Sequence, residues 1–158
     1  MKNYIYYGNK DSDTTIIYLH GGGYVMGDQS DLPTKLSEYL IKRYSLITLN
    51  YPLAPQCAYV DIIDYVENQI NDLVKEFSIK NLILMGRSSG ANTIMSIDPS
   101  NLDLIPNSII SFYGYSSSDL SWMNDEIVGL DFKVNKDLVA SIENNNEIVY
   151  SRDLETTY

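Results

Sequence analysis

One serine stands in a sequence context that favours nucleophilic catalysis. Residues 86–90 read G-R-S-S-G, which places Ser88 in the pattern G-x-S-x-G between a predicted strand and a predicted helix. On a sharp strand-to-helix turn the serine hydroxyl is lifted above the carboxyl end of a sheet, and glycine is needed where side chains would collide. The pattern therefore predicts Ser88 as a catalytic nucleophile and Gly86 and Gly90 as the residues that make room for the turn.

A run of glycines supplies the second chemical feature. Residues 20–24 read H-G-G-G-Y and directly follow another predicted strand. Glycines let backbone N–H groups approach a substrate oxygen closely, and a tetrahedral intermediate needs such preorganised donors, each worth about 3–4 kcal/mol. We predict that the N–H groups of Gly21 and Gly22, together with that of Ser89, form an oxyanion hole, and that Gly23 supports the loop.

Short apolar runs that alternate with helical patterns must hold these motifs in place. The alternation predicts an α/β fold, a three-layer α/β/α sandwich with a mainly parallel sheet, in a single domain over residues 1–158. The predicted strands are Tyr4–Tyr7 at an edge, Thr14–Leu19, Ser45–Leu49, Asn81–Met85 and Ser108–Tyr113. The predicted helices are Leu32–Tyr44, an amphipathic one over Ile62–Phe77, Ala91–Ile97 and a weaker one over Lys136–Ile142.

Together with residues 50–55, which read N-Y-P-L-A-P, the two motifs resemble the hormone-sensitive-lipase-like branch of the α/β-hydrolases. The resemblance implies the α/β-hydrolase fold and a carboxylesterase that cleaves small acyl esters through an acyl-enzyme on Ser88. It also implies that His20 supports the oxyanion loop. Prolyl-oligopeptidase-type hydrolases share the serine motif and stay an alternative. The sequence departs from the usual pattern of the branch at five positions: Asn50, Pro52, Gln56, Arg87 and Ser89.

A serine hydroxyl needs a general base to become a nucleophile. No histidine follows Ser88 in this sequence. In the resembled fold the chain order is serine, acid, histidine, whereas the single histidine, His20, precedes Ser88. Asp119 follows the last predicted strand as a weak candidate for the acid. We therefore expect an incomplete domain that lacks its C-terminal strands, and a chain nearly inactive by itself. A binding or interaction protein that keeps the fold without catalysis is the alternative.

The amino-acid composition indicates which classes of partner and which cellular compartment to expect. The 158 residues include 11 Lys and Arg against 21 Asp and Glu, and a net charge of −10 argues against nucleic acid as a partner. No apolar run approaches the ~20 residues that span a bilayer, so we expect a soluble, cytoplasmic protein. The one cysteine, Cys57, allows no internal disulfide. We expect a small-molecule ester as substrate, no metal and no cofactor, and we leave a homo-oligomer open.

Overall fold

The computed structural model describes residues 2–115 and 147–152, and its architecture confirms the predicted α/β fold class and mainly parallel sheet. The strands are β1 Tyr4–Tyr7, β2 Thr14–Leu19, β3 Ser45–Leu49, β4 Asn81–Arg87 and β5 Ser108–Phe112. The α-helices within these ranges are α1 Thr34–Leu40, α2 Tyr59–Glu76 and α3 Ser89–Ser96. The strands lie side by side in the order β1-β3-β2-β4-β5, with β1 antiparallel to β3 and all other neighbours parallel.

Helices cover the centre of the sheet on both faces, which makes three layers. All of β3 and five of the six residues of β2 are buried, so both faces of these strands need apolar cover. On one face, α2 contributes a buried stripe at helical spacing: Ile62, Val66, Ile70 and Leu73. On the other face, a smaller cluster joins the sheet to α1 and the residues before it: Ile16, Tyr18, Leu46 and Met85 with Leu32, Leu36 and Leu40.

One helix is shorter than its sequence pattern indicates. The helix predicted over Leu32–Tyr44 is confined to Thr34–Leu40, because Pro33 has extended backbone (φ −53°, ψ 129°) and turn residues already follow at 41–43. The helix predicted over Lys136–Ile142 lies outside the described residues. None of the described helices is both long enough and apolar enough to cross a bilayer.

The boundary between β4 and α3 also differs from the prediction, and it defines the site. β4 continues two residues beyond the predicted end at Met85, to Arg87, and α3 begins at Ser89 instead of Ala91. Ser88 is therefore the only residue between the strand and the helix. A turn of one residue demands an unusual backbone conformation there.

β5 is the exposed edge of the described sheet. All five of its residues are exposed, and within the described ranges the strand pairs only with β4. Its apolar side chains include Ile109, which is 52% exposed, and Phe112, which is 38% exposed. Apolar side chains along an unpaired edge favour association with a further strand.

Candidate active site

Ser88 turns the chain from β4 into α3 with a backbone that residues other than glycine rarely adopt. Its φ is 52° and its ψ is −119°. Its N–H donates to the carbonyl of Phe112 on β5 (2.9 Å), and its carbonyl accepts from the N–H of Asn92 in α3 (2.9 Å). Strained conformations of this kind cost about 1–3 kcal/mol and persist where their surroundings impose them, which is frequent at active sites. The turn places Ser88 at the carboxyl edge of the parallel strands, where open α/β sheets bind ligands.

Both glycines of the serine motif occupy places where a side chain would overlap backbone atoms. A β-carbon added to Gly86 would lie 2.6 Å from the nitrogen of Ala91 and 2.6 Å from the carbonyl carbon of Gly90. A β-carbon added to Gly90 would overlap the carbonyl oxygens of Leu19 and His20. The first turn of α3 can therefore pack directly on the end of β2 because position 90 carries no side chain.

The glycine loop leaves β2 through three successive residues of positive φ. The φ values are 121° at Gly22, 61° at Gly23 and 68° at Tyr24. The carbonyl of Gly22 closes the turn by accepting from the N–H groups of Val25 (3.1 Å) and Met26 (3.2 Å). A side chain at Gly22 would overlap the carbonyl oxygen of Met26, so both the dihedral angle and the space at this position require glycine.

The two motifs meet at Gly21 and Ser88. A β-carbon on Gly21 would lie 3.3 Å from the β-carbon of Ser88, so the loop backbone borders the serine. The N–H of Gly21 donates to Oδ2 of Asp31 (3.3 Å). Within the described ranges, the N–H groups of Gly22 and Ser89 donate no backbone hydrogen bond. The structure thus uses Gly21 to anchor the loop and leaves the other two predicted donors available.

His20 lies buried beneath the loop as a neutral imidazole. Its Nδ1 is 2.7 Å from the carbonyl of Gly21, and because a carbonyl only accepts, Nδ1 carries the proton. The ring stacks on Tyr51 (4.3 Å between centroids, 9° between planes), whose hydroxyl donates to the His20 carbonyl (2.8 Å) and lies 3.3 Å from Oγ of Ser89. Burial lowers the pKa of the His20 imidazole below its ordinary value.

This burial predicts a pH-dependent stability. Unfolded His20 takes up a proton below pH of about 6.5, whereas the folded imidazole resists it, so the free energy of unfolding falls as pH drops below that value. The slope reaches at most about 1.4 kcal/mol per pH unit. Urea unfolding at pH 7.5, 6.5 and 5.5 measures it. Because the sequence has one histidine, His20→Asn should flatten the decline over this range, and an unchanged decline in the variant would contradict the account.

A buried polar network behind the serine ties the loop to α3, and its members do not stand out in the sequence. The hydroxyls of Tyr24 (2.5 Å) and Tyr59 (2.8 Å) both donate to Oδ1 of Asn92. The side-chain amide of Asn92 donates in turn to the carbonyl of Tyr115 (2.8 Å). The network therefore connects the loop, α2, α3 and the chain after β5. The one sequence signal for it is the tyrosine directly after the glycines.

A cavity of about 250 Å³ opens beside the glycine loop. Loop backbone and polar side chains line it: Gly21, Gly22, Met26, Gly27, Asp28, Ser30, Asp31, Arg87 and Arg152. Two of these side chains form an ion pair, in which Nη2 of Arg87 lies 2.6 Å from Oδ2 of Asp31. The cavity thus has a polar wall next to the residue that precedes the serine.

The second described range also reaches the loop, through Arg152. Its backbone exchanges two hydrogen bonds with Gly27 (2.9 and 3.2 Å). Its guanidinium donates to the carbonyl of Val25 (2.9 Å) and to Oε1 of Gln56 (3.2 Å). Arg152 therefore holds the part of the loop that contains Val25 and Gly27.

The remaining predicted site residue, Asp119, lies outside the described residues. His20 is the single histidine of the sequence, and its protonated nitrogen is committed to Gly21. Among residues 2–115 and 147–152, no group of three Asp, Glu, His or Cys side chains is arranged to hold a metal ion. The described residues therefore place the glycine loop beside Ser88 and bury the single histidine beneath that loop.

One family of known proteins is similar in sequence to most of this chain. A family model described as "alpha/beta hydrolase fold" matches residues 16–110, which include the glycine loop and Ser88. No curated protein sequence matches the chain.

Two solved structures match nearly the whole chain. A protein of unknown function from Staphylococcus aureus subsp. aureus Mu50 is 24% identical with a TM-score of 0.79, and the match covers 98% of this chain and 57% of that one. An alpha/beta hydrolase superfamily protein from Enterococcus faecalis is 27% identical with a TM-score of 0.78, covering 94% of this chain and 55% of that one. Carboxyl esterase 2 from Tuber melanosporum shares the fold at 21% identity and a TM-score of 0.61, over 70% and 40% of the two chains. The chain thus spans a little over half the length of the first two.

Proposed function

Because this chain belongs to the α/β-hydrolase fold family, we propose that it carries the nucleophile and the oxyanion loop of a serine hydrolase, a carboxylesterase of the hormone-sensitive-lipase-like branch. The backbone of Ser88 supports this proposal most directly. Ser88 has a positive φ at a turn of one residue, and Gly21 lies beside it. Gly86 and Gly90 carry no side chain that would collide with the backbone at this turn. This is the geometry expected of a nucleophile elbow. A turn with no catalytic role does not need a strained residue between two glycines that no larger residue can replace.

The reaction begins when Oγ of Ser88 attacks the carbonyl carbon of an ester. The carbonyl oxygen becomes an oxyanion, the bond to the alcohol oxygen breaks, and the alcohol leaves with the proton that came from the serine. Water then attacks the acyl-serine, releases the carboxylic acid and regenerates the hydroxyl. Each half of the cycle passes through a tetrahedral intermediate that needs donors near the developing charge.

The N–H groups of Gly22 and Ser89 are the proposed donors to this oxyanion. Neither donates a backbone hydrogen bond within the described ranges, and Ser89 is the first residue of α3, where the helix dipole favours negative charge. Their positions are set before the substrate arrives, because the loop is closed through Gly22 and held by Asp31. Preorganised donors of this kind supply the largest single contribution to catalysis in many enzymes.

We propose that the general base comes from a part of the protein outside these 158 residues. The only histidine is buried beneath the loop with its Nδ1 proton bonded to Gly21, and a serine needs a base to become nucleophilic. Without a base, catalysis retains only the contributions of the oxyanion hole and of binding, about 10³–10⁴-fold over water. The 158-residue chain alone is therefore expected to hydrolyse esters very slowly.

Ester hydrolysis by the full-length gene product tests this function. We expect saturable hydrolysis of p-nitrophenyl acetate and butyrate and a lower kcat/KM for the dodecanoate, because the resemblance to the hormone-sensitive-lipase-like branch implies small acyl esters as substrates. A peptide p-nitroanilide should be a poor substrate. Faster cleavage of the anilide would favour an oligopeptidase instead, and a folded full-length protein inert towards every substrate would favour a binding protein.

A further inference from the structure

One carboxylate connects the glycine loop to the residue before the serine. Oδ2 of Asp31 accepts from Nη2 of Arg87 (2.6 Å) and from the N–H of Gly21 (3.3 Å). Its other oxygen, Oδ1, accepts from the hydroxyl of Tyr18 on β2 (2.8 Å). The Asp31 side chain is only 16% exposed, so these three donors replace most of its contact with water. All three bonds involve a charged acceptor, which makes them stronger than bonds between neutral groups.

The position of these partners along the chain gives the carboxylate its importance. Gly21 directly precedes Gly22, a proposed oxyanion donor, and Arg87 directly precedes Ser88. Asp31 therefore holds one neighbour of the donor and one neighbour of the nucleophile with the same oxygen atom. Through Tyr18 it also ties both of them to the rigid centre of the sheet, where β2 is buried. A small shift of the carboxylate would change the distance between the donor and the serine.

We propose that Asp31 is a positioning residue for the oxyanion hole, one that sets the place of the Gly22 N–H relative to Ser88. This inference rests on the proposed esterase function. In this role the carboxylate acts through Gly21 and Arg87 and not through contact with the reacting atoms. Its loss should weaken binding of the transition state more than binding of the ester, because only the transition state carries the oxyanion charge.

Asp31→Asn in the full-length protein tests this role. The amide keeps the shape of the carboxylate but loses its charge, and it places an N–H₂ group where an oxygen now accepts a hydrogen bond. We expect kcat for p-nitrophenyl acetate to fall about 10-fold to 100-fold with KM changed less than about 2-fold, which is less than complete loss of an oxyanion donor causes. The inhibition constant of a trifluoromethyl ketone, which forms a tetrahedral adduct on the serine, should rise by the same factor.

A matched control removes an aspartate from an ion pair elsewhere. Asp103 lies 2.8 Å from Lys75 on the surface of α2, and Asp103→Asn should leave both kinetic constants within about 2-fold. If Asp31→Asn fails to fold, the Tyr18→Phe variant tests the proposal instead, because it removes one hydrogen bond to the Asp31 carboxylate and keeps the charge. We expect Tyr18→Phe to lower kcat with KM unchanged, and an unchanged kcat in this folded variant would overturn the proposal.

The outcomes separate this inference from the proposed function. If Ser88→Ala abolishes hydrolysis while Asp31→Asn behaves like Asp103→Asn, the esterase assignment stands and the positioning role is wrong. If Asp31→Asn lowers only the unfolding temperature, or raises KM with kcat intact, the carboxylate is an ordinary structural residue and the proposal is also overturned. If Ser88→Ala retains activity, the proposed function itself fails.

Discussion

Replacing Ser88 with alanine in the full-length protein is expected to lower kcat for p-nitrophenyl acetate by about a million-fold, with KM little changed. The methyl side chain cannot form the acyl-enzyme, so only oxyanion stabilisation of a direct attack by water is left. Initial rates at several substrate concentrations, measured at high enzyme concentration, give both constants. The positive φ of residue 88 is tolerated by alanine no worse than by serine, so folding should be preserved.

Ser96→Ala is the matched control for this substitution. Ser96 ends the same helix, and its hydroxyl bonds to the carbonyl of Asn92 and lies 2.8 Å from the hydroxyl of Tyr59, well away from the turn. The Ser96→Ala variant should hydrolyse the ester at the rate of the unmodified protein. Equal loss in both serine variants would attribute the effect to helix α3 and not to a nucleophile.

Gly90→Ala is expected to have the largest effect on stability. The new β-carbon would overlap the carbonyl oxygens of Leu19 and His20, and neither main-chain atom can move without breaking the contact between α3 and β2. Overpacking against backbone costs about 3 kcal/mol or more, enough to unfold a marginally stable domain. Urea unfolding followed by circular dichroism measures the loss.

Gly23→Ala separates this steric effect from the general cost of replacing a glycine in the site. A β-carbon at position 23 would have no atom within 4 Å, although φ there is 61°. The left-handed conformation alone costs alanine about 1–2 kcal/mol. If Gly23→Ala destabilised the protein as much as Gly90→Ala, the close approach of α3 to β2 would not be the reason for glycine at position 90.

The central strands could be predicted from the sequence because their signal is local. β2, β3 and β4 are short apolar or β-branched runs, and burial on both faces makes such runs continuous instead of alternating. The length of α1 could not be predicted, since the apolar spacing of residues 32–44 continues into turn residues at 41–43. The end of β4 depends on pairing with β5, which reaches Arg87, and no local pattern reports a partner strand.

Part of the candidate site could likewise be predicted from the sequence, and part of it could not. Ser88 and the glycines belong to short motifs, whereas Asp31 and Asn92, which bond to Arg87 and Tyr24 of these motifs, do not. Asp31 meets Arg87 56 residues further along the chain, and Tyr24 meets Asn92 68 residues further along. The pairing over such separations cannot be predicted from a single sequence, because Asp31 and Asn92 are ordinary polar residues in their own segments. The structure supplies them by bringing the loop, the turn and α3 together.

Labelling of the full-length protein with a fluorophosphonate, followed by mass spectrometry of its peptides, tests the central claim most directly. The reagent phosphonylates an activated serine at an oxyanion hole and leaves ordinary serines unmodified. We predict one adduct, on the peptide that contains Ser88, and its complete loss in Ser88→Ala. An adduct on another serine, or no adduct on folded full-length protein, would contradict the assignment of Ser88 as the nucleophile.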